Sequence, residues 1–131
     1  MDGQDTLTGV WHGLYSYPRQ LEPVYFVATL IGSGARLSGM IHEANVGRRG
    51  AKLQLFASVE GEQSDSSVSF DKVYDGTGGW SHKVIYIGTL NSDRTEIEGN
   101  WSIPSVWSGR FLMLRSRGMT ETAIRQIYET V

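Results

Sequence analysis

The sequence predicts an all-β protein, an eight-stranded up-and-down antiparallel β-barrel with a short C-terminal helix packed outside it. Three observations lead there. Segments rich in Val, Ile, Tyr, Phe and Trp recur eight times, separated by turn chemistry such as GSG at 32–34 and NSD at 91–93. Glycine is abundant and proline scarce, 16 against 3, and no helix-length pattern lies between the segments. Within each segment the side chains alternate between an apolar or small set and a more polar set, the period of a strand with one buried face.

The first strand, near 8–17, puts Trp11, Gly13, Tyr15 and Tyr17 on one face. The second, near 23–31, offers Val24, Phe26, Ala28 and Leu30; the third, near 35–43, Leu37, Gly39, Ile41 and Glu43. The fourth, near 51–61, carries Leu53, Leu55, Ala57 and Val59, and the fifth, near 67–74, Val68, Phe70, Lys72 and Tyr74. The sixth, near 83–90, gives Val84, Tyr86, Gly88 and Leu90. The seventh, near 95–103, sets Ile97, Gly99, Trp101 and Ile103 against the polar Glu96, Glu98, Asn100 and Ser102. The eighth, near 106–116, ends the series with Trp107, Gly109, Phe111, Met113 and Arg115.

After Gly118, Thr120 supplies an N-cap, and Ile124, Ile127, Tyr128 and Val131 share one helical face. So short a helix needs an apolar surface, and the outward Val10, Leu14, Val27, Ile31, Leu112 and Leu114 can receive it. A chain of 131 residues has the length of one domain. The barrel is expected over 1–116, with 1–7 as a leader, and the helix over 117–131 of the same domain.

Running the strands alternately up and down separates two ends. Trp11, Leu30, Leu37, Val59, Val68, Leu90, Ile97 and Met113 fall at one, where the turns are mostly short. Tyr15, Tyr17, Glu43, Lys72, Tyr74, Tyr86, Trp101 and Trp107 fall at the other, with longer loops at 18–22, 44–50 and 75–82. Small residues recur near mid-height: Gly13, Ala28, Gly39, Ala57, Gly88, Gly99 and Gly109. They serve barrel curvature, or they leave a hollow.

Gly9-Val10-Trp11 resembles the Gly-x-Trp that opens the first strand in the calycin superfamily of lipocalins, avidins and fatty-acid-binding proteins. The resemblance implies that Trp11 plugs a closed floor, with Arg115, late in the last strand, packed across its ring. It implies a ligand-binding barrel and names no family function.

The residues at the other end point to a ligand mouth: aromatic walls with a few orienting polar groups. The expected ligand-binding set is Tyr15, Tyr17, Phe26, Glu43, Phe70, Lys72, Tyr74, Tyr86, Trp101 and Trp107, with Trp80 a candidate lid. The apolar part of a ligand is expected above Phe26, Phe70 and Phe111, and Lys72 is expected to orient its polar or anionic group. The blander alternative is a wet aromatic rim on which Glu43 and Lys72 form a surface ion pair. A second alternative is a barrel-pocket isomerase or cyclase acting beside a carbonyl, with Glu43 as base and Lys72 or Tyr74 as electrophile. A third is a protein-interaction or homodimer surface around the outward Tyr25, Phe56, Ile85 and Ile87.

Other classes have little support. A net charge of −2 gives no electrostatic case for nucleic acid or an anionic membrane. No cysteine is present, and His12, His42 and His82 form no metal-binding motif, so neither metal nor cofactor is expected. GTGG at 76–79 lacks the Lys-Ser/Thr and helix of a phosphate loop. Without a visible signal peptide or an apolar run of bilayer length, a cytoplasmic protein is expected, its partner a small amphipathic or hydrophobic ligand.

Overall fold

The alternating segments pair with their neighbours in sequence order. In a computed structural model that describes residues 6–17, 22–46, 52–76 and 81–116, they form eight strands. These are β1 (Gly9–Ser16), β2 (Val24–Ser33), β3 (Arg36–Val46), β4 (Lys52–Ser64), β5 (Ser67–Tyr74), β6 (Lys83–Leu90), β7 (Glu96–Ile103) and β8 (Trp107–Arg115). Each is antiparallel to the next, and β1 also pairs with β8, opposing Trp11 to Arg115 and Tyr15 to Phe111. Closure leaves the sheet without a free edge. The helix expected at 117–131 and the loop residue Trp80 lie outside the described residues. Among the described residues, no helix is long and apolar enough to cross a membrane.

Among the described residues the predicted inward faces are buried over most of their length, Trp107 at the mouth excepted. Leu30, Leu37, Val59, Val68, Leu90, Ile97 and Met113, around the short-turn end, are at most 3% exposed. Trp11 is fully buried there, and the Arg115 guanidinium lies 4.8 Å from its ring centroid. That contact combines cation–π attraction with coverage of the indole face. The Trp11 Nε1–H donates to the Leu7 carbonyl at 2.9 Å, and Arg115 donates to the carbonyl of Thr6. Leu7 itself is 1% exposed, so the segment read as a leader contributes its last residue to the floor.

Two glycines show what the small inward residues do. A Cβ at Gly13 would stand 2.1 Å from the Phe26 ring, so the glycine is the seat of that ring. At Gly109 a Cβ would meet the Ser16 carbonyl oxygen at 2.1 Å and Trp101 Nε1 at 2.6 Å, so the Trp101 indole crosses β8 at this point. At both positions a neighbouring ring takes the space, leaving no hollow there. Outside the barrel, Leu112 gathers Leu14, Tyr25 and Leu114 into a small second cluster, whereas Ile87 is 61% exposed.

Candidate functional site

The polar centre of the barrel is assembled by β1, β3, β5 and β6. Glu43, the last inward residue described on β3, pairs in register with Phe26 and Leu55. Lys72 on β5 pairs with Val59 and Val84. Their side chains meet across β4, with Lys72 Nζ 2.7 Å from Glu43 Oε2. The pair is not at the rim, as the blander reading has it: Glu43 is 2% exposed and Lys72 1%. Barrel strands run obliquely past one another, so a residue near the end of β3 reaches the interior at the height of mid-β5.

Burying two charges is unfavourable unless they are paired and their remaining sites are satisfied. Here phenols take the other carboxylate oxygen and one further ammonium N–H. Tyr15 Oη donates to Glu43 Oε1 at 3.0 Å and Tyr74 Oη donates to the same oxygen at 2.7 Å. Lys72 Nζ donates weakly to Tyr86 Oη at 3.4 Å. The ammonium also lies 4.7 Å from the Tyr15 and Tyr74 ring centroids, which adds cation–π attraction on two sides. Burial pushes the Lys72 ammonium below its ordinary pKa, and the Glu43 carboxylate opposes that shift.

Above this centre the barrel opens into a cavity of about 150 Å³ lined by Tyr15, Tyr17, Lys72, Tyr74, His82, Val84, Tyr86, Trp101, Ile103 and Trp107. Its walls hold one another in place. Trp101 Nε1 donates to the Ser16 carbonyl at 2.9 Å across the gap at Gly109. Tyr17 meets Trp101 edge-on at 5.6 Å and Trp107 at 4.9 Å. Edge-to-face and tilted rings at these separations are favourable and rigid. Trp107, 39% exposed, forms part of the outer lip.

Seven of the ten residues expected at a ligand mouth thus surround one cavity. Phe26, Glu43 and Phe70 do not line it, and neither does Phe111, expected beneath the ligand. Phe70 stacks on Tyr86 at 4.8 Å, and Phe111 meets Tyr86 edge-on at the same distance. These rings fill the barrel's waist, so Tyr86 rather than the phenylalanines forms the cavity's base. β-strand parity gives direction and not height.

His82 is the lining residue missed in the sequence, together with the roles of Val84 and Ile103. It stands just before β6, in a segment without alternation. The backbone bond from Tyr74 N–H to the His82 carbonyl, 3.2 Å, brings it to the mouth. Its ring lies 4.9 Å from that of Tyr74. Burial and, secondarily, the Lys72 charge hold the His82 imidazole below its usual pKa. Among the described residues, no group of three metal-ligating side chains comes together. His42 instead stacks on Phe56 on the outer wall at 4.7 Å.

The tyrosines give the site a pH signature. Burial first, and the Glu43 charge second, push the Tyr15, Tyr74 and Tyr86 hydroxyls well above their ordinary value of 10.0. Unfolded, the same phenols release protons from that value upward, so above pH 10 the folded state binds more protons than the unfolded one. Stability from these groups is therefore complete below about pH 10 and is lost as pH rises further. Tyrosinate absorbance from these three is expected to develop together with loss of far-ultraviolet dichroism. Their reversible ionisation in an intact barrel would contradict the buried network.

The eight strands close into an antiparallel barrel whose floor is Trp11 with Arg115 packed over its ring. No protein-family model matches the chain, and no curated protein matches it. Among solved structures it is similar to apocrustacyanin C2, with 12% identity and a TM-score of 0.43 over 97% of this chain and 70% of that one.

Proposed function

We propose that this protein binds, without turnover, a small and largely apolar molecule carrying one polar group, in the open end of the barrel. The observation that supports this most is the cavity of about 150 Å³, walled by self-supporting aromatic rings around a single buried ammonium. Burial against Tyr15, Tyr86, Trp101 and Trp107 supplies affinity, and Lys72 orients the polar group. Trp107, at once lining the cavity and exposed, marks the side open to a ligand, and the Trp11–Arg115 floor lies at the opposite end.

Catalysis beside a carbonyl is the weaker reading. Glu43 is behind Lys72, Tyr15 and Tyr74 and does not line the cavity, so its carboxylate has no direct contact with a bound molecule. A general base must stand within hydrogen-bond reach of the proton it removes.

Native mass spectrometry of the purified protein, followed by organic extraction, tests the binding reading. The expected result is one small molecule per chain, retained by the wild type or taken up from a cell extract. In Trp107→Ala, which removes a partly exposed wall without touching the buried pair, affinity should fall about tenfold. A folded protein that takes up nothing from extract would refute the reading.

A further inference from the structure

Resting on that binding reading, we propose that the pocket selects a neutral hydrogen-bond acceptor of about one ring, an aromatic or alicyclic aldehyde, ketone or quinone, over the corresponding carboxylate. Three features of the site carry this.

The first is the direction of the hydrogen bonds. An ammonium has three donors and a phenol has one. Lys72 places one N–H on Glu43 at 2.7 Å and one, weakly, on Tyr86 Oη. Its third N–H remains for the cavity that it lines. Tyr15 and Tyr74 have given their protons to Glu43, whereas Tyr86 accepts from Lys72 and keeps its own O–H proton to donate. The base of the cavity therefore offers two donors, Lys72 and Tyr86, beside the phenol oxygens of Tyr15 and Tyr74, while the charged acceptor, Glu43, does not line it. A carbonyl oxygen fits the two donors.

The second is charge. Lys72 and Glu43 cancel at 2.7 Å, both fully enclosed, so the base donates strongly yet carries no net charge. A bound carboxylate would add an uncompensated negative charge close to Glu43. Among the described residues lining the cavity, no other lysine or arginine stands ready to balance it. Burial and the Lys72 charge hold the His82 imidazole below its usual pKa, and Arg115 is on Trp11 at the opposite floor. Burying an unpaired charge is unfavourable, whereas a carbonyl brings polarity without that penalty.

The third is size. A cavity of about 150 Å³ matches the volume at which an enclosed apolar site holds a single benzene ring. A longer molecule must extend outward past His82 and Trp107.

Acetophenone and benzoate, which share a ring and differ in the charge of the polar group, are the probes. Each is titrated into the full-length protein at neutral pH by calorimetry, with toluene as the ring lacking an acceptor. Acetophenone should bind at least about tenfold more tightly than benzoate and more tightly than toluene. In Glu43→Gln, an amide oxygen can still accept from the phenols while the balancing charge is gone, so the preference should shift toward benzoate by a similar factor. Benzoate binding as tightly as acetophenone to the wild type would overturn the selectivity while leaving the binding reading intact. Toluene matching acetophenone would overturn acceptor recognition in the same way. If none of the three saturates, the binding reading falls with the proposal. The wild-type ratios decide the matter even if Glu43→Gln fails to fold.

Discussion

Replacing Glu43 with alanine is expected to destabilise the barrel by about 3–5 kcal/mol, the usual cost of removing one partner from a buried ion pair. The substitution strands the Lys72 ammonium, 1% exposed, and takes the acceptor from Tyr15 and Tyr74 together. Against a typical folding stability of about 5–15 kcal/mol, such a loss leaves a small domain close to unfolding. The double variant Glu43→Gln/Lys72→Met should recover most of it. The amide oxygen can still accept from a phenol, no charge remains buried, and a thioether side chain replaces the lysine stem. Urea unfolding of the wild type, Glu43→Gln, Lys72→Met and the double variant closes the cycle, and a large coupling is expected. If the double variant loses the sum of the two single losses, the side chains are not acting as a pair and the central network is misassigned.

The second large effect belongs to the floor. Trp11→Ala is expected to lower stability by about 3–5 kcal/mol, as for other fully buried large aromatic residues. The indole is 0% exposed, donates to the Leu7 carbonyl and supports the Arg115 guanidinium. Its removal opens the sealed end and releases the contacts that draw residues 6–7 inward. Arg115→Met keeps much of the covering stem and should cost less, about 0.5–2 kcal/mol, the range of a cation–π contact. Thermal or urea unfolding orders the two variants. An Arg115→Met loss equal to that of Trp11→Ala would mean that the arginine, not the indole, carries the closure.

The barrel was legible because its strands alternate so regularly. Parity alone assigned Trp11, Phe26, Phe70, Tyr86 and Phe111 to the interior, and each is buried. The floor was legible through two residues, since Gly-x-Trp and a late arginine fall on directly paired positions of β1 and β8. Height within the barrel was not. Glu43 and Lys72 read as residues of the mouth because each lies near the end of an alternating run, and strand stagger carries them to the centre. Phe26 and Phe70 read as the apolar support beneath a ligand because they point inward; their rings, seated at Gly13 and against Tyr86, fill the waist. His82 could not be placed from periodicity, because the segment ahead of β6 has none. A backbone bond to Tyr74 puts it at the mouth, and no local pattern encodes that bond.

Under the proposed function the two ends of the barrel differ, one a seal and the other a receptacle. Indole N–H resonances report on both ends in a single experiment, because Trp11 stands at the floor while Trp101 and Trp107 line the cavity. Titrating acetophenone into labelled protein should move the Trp101 and Trp107 signals saturably and leave Trp11 in place. Saturable shifts at Trp11, or none at Trp101 and Trp107, would contradict the assignment of the aromatic end as the binding site.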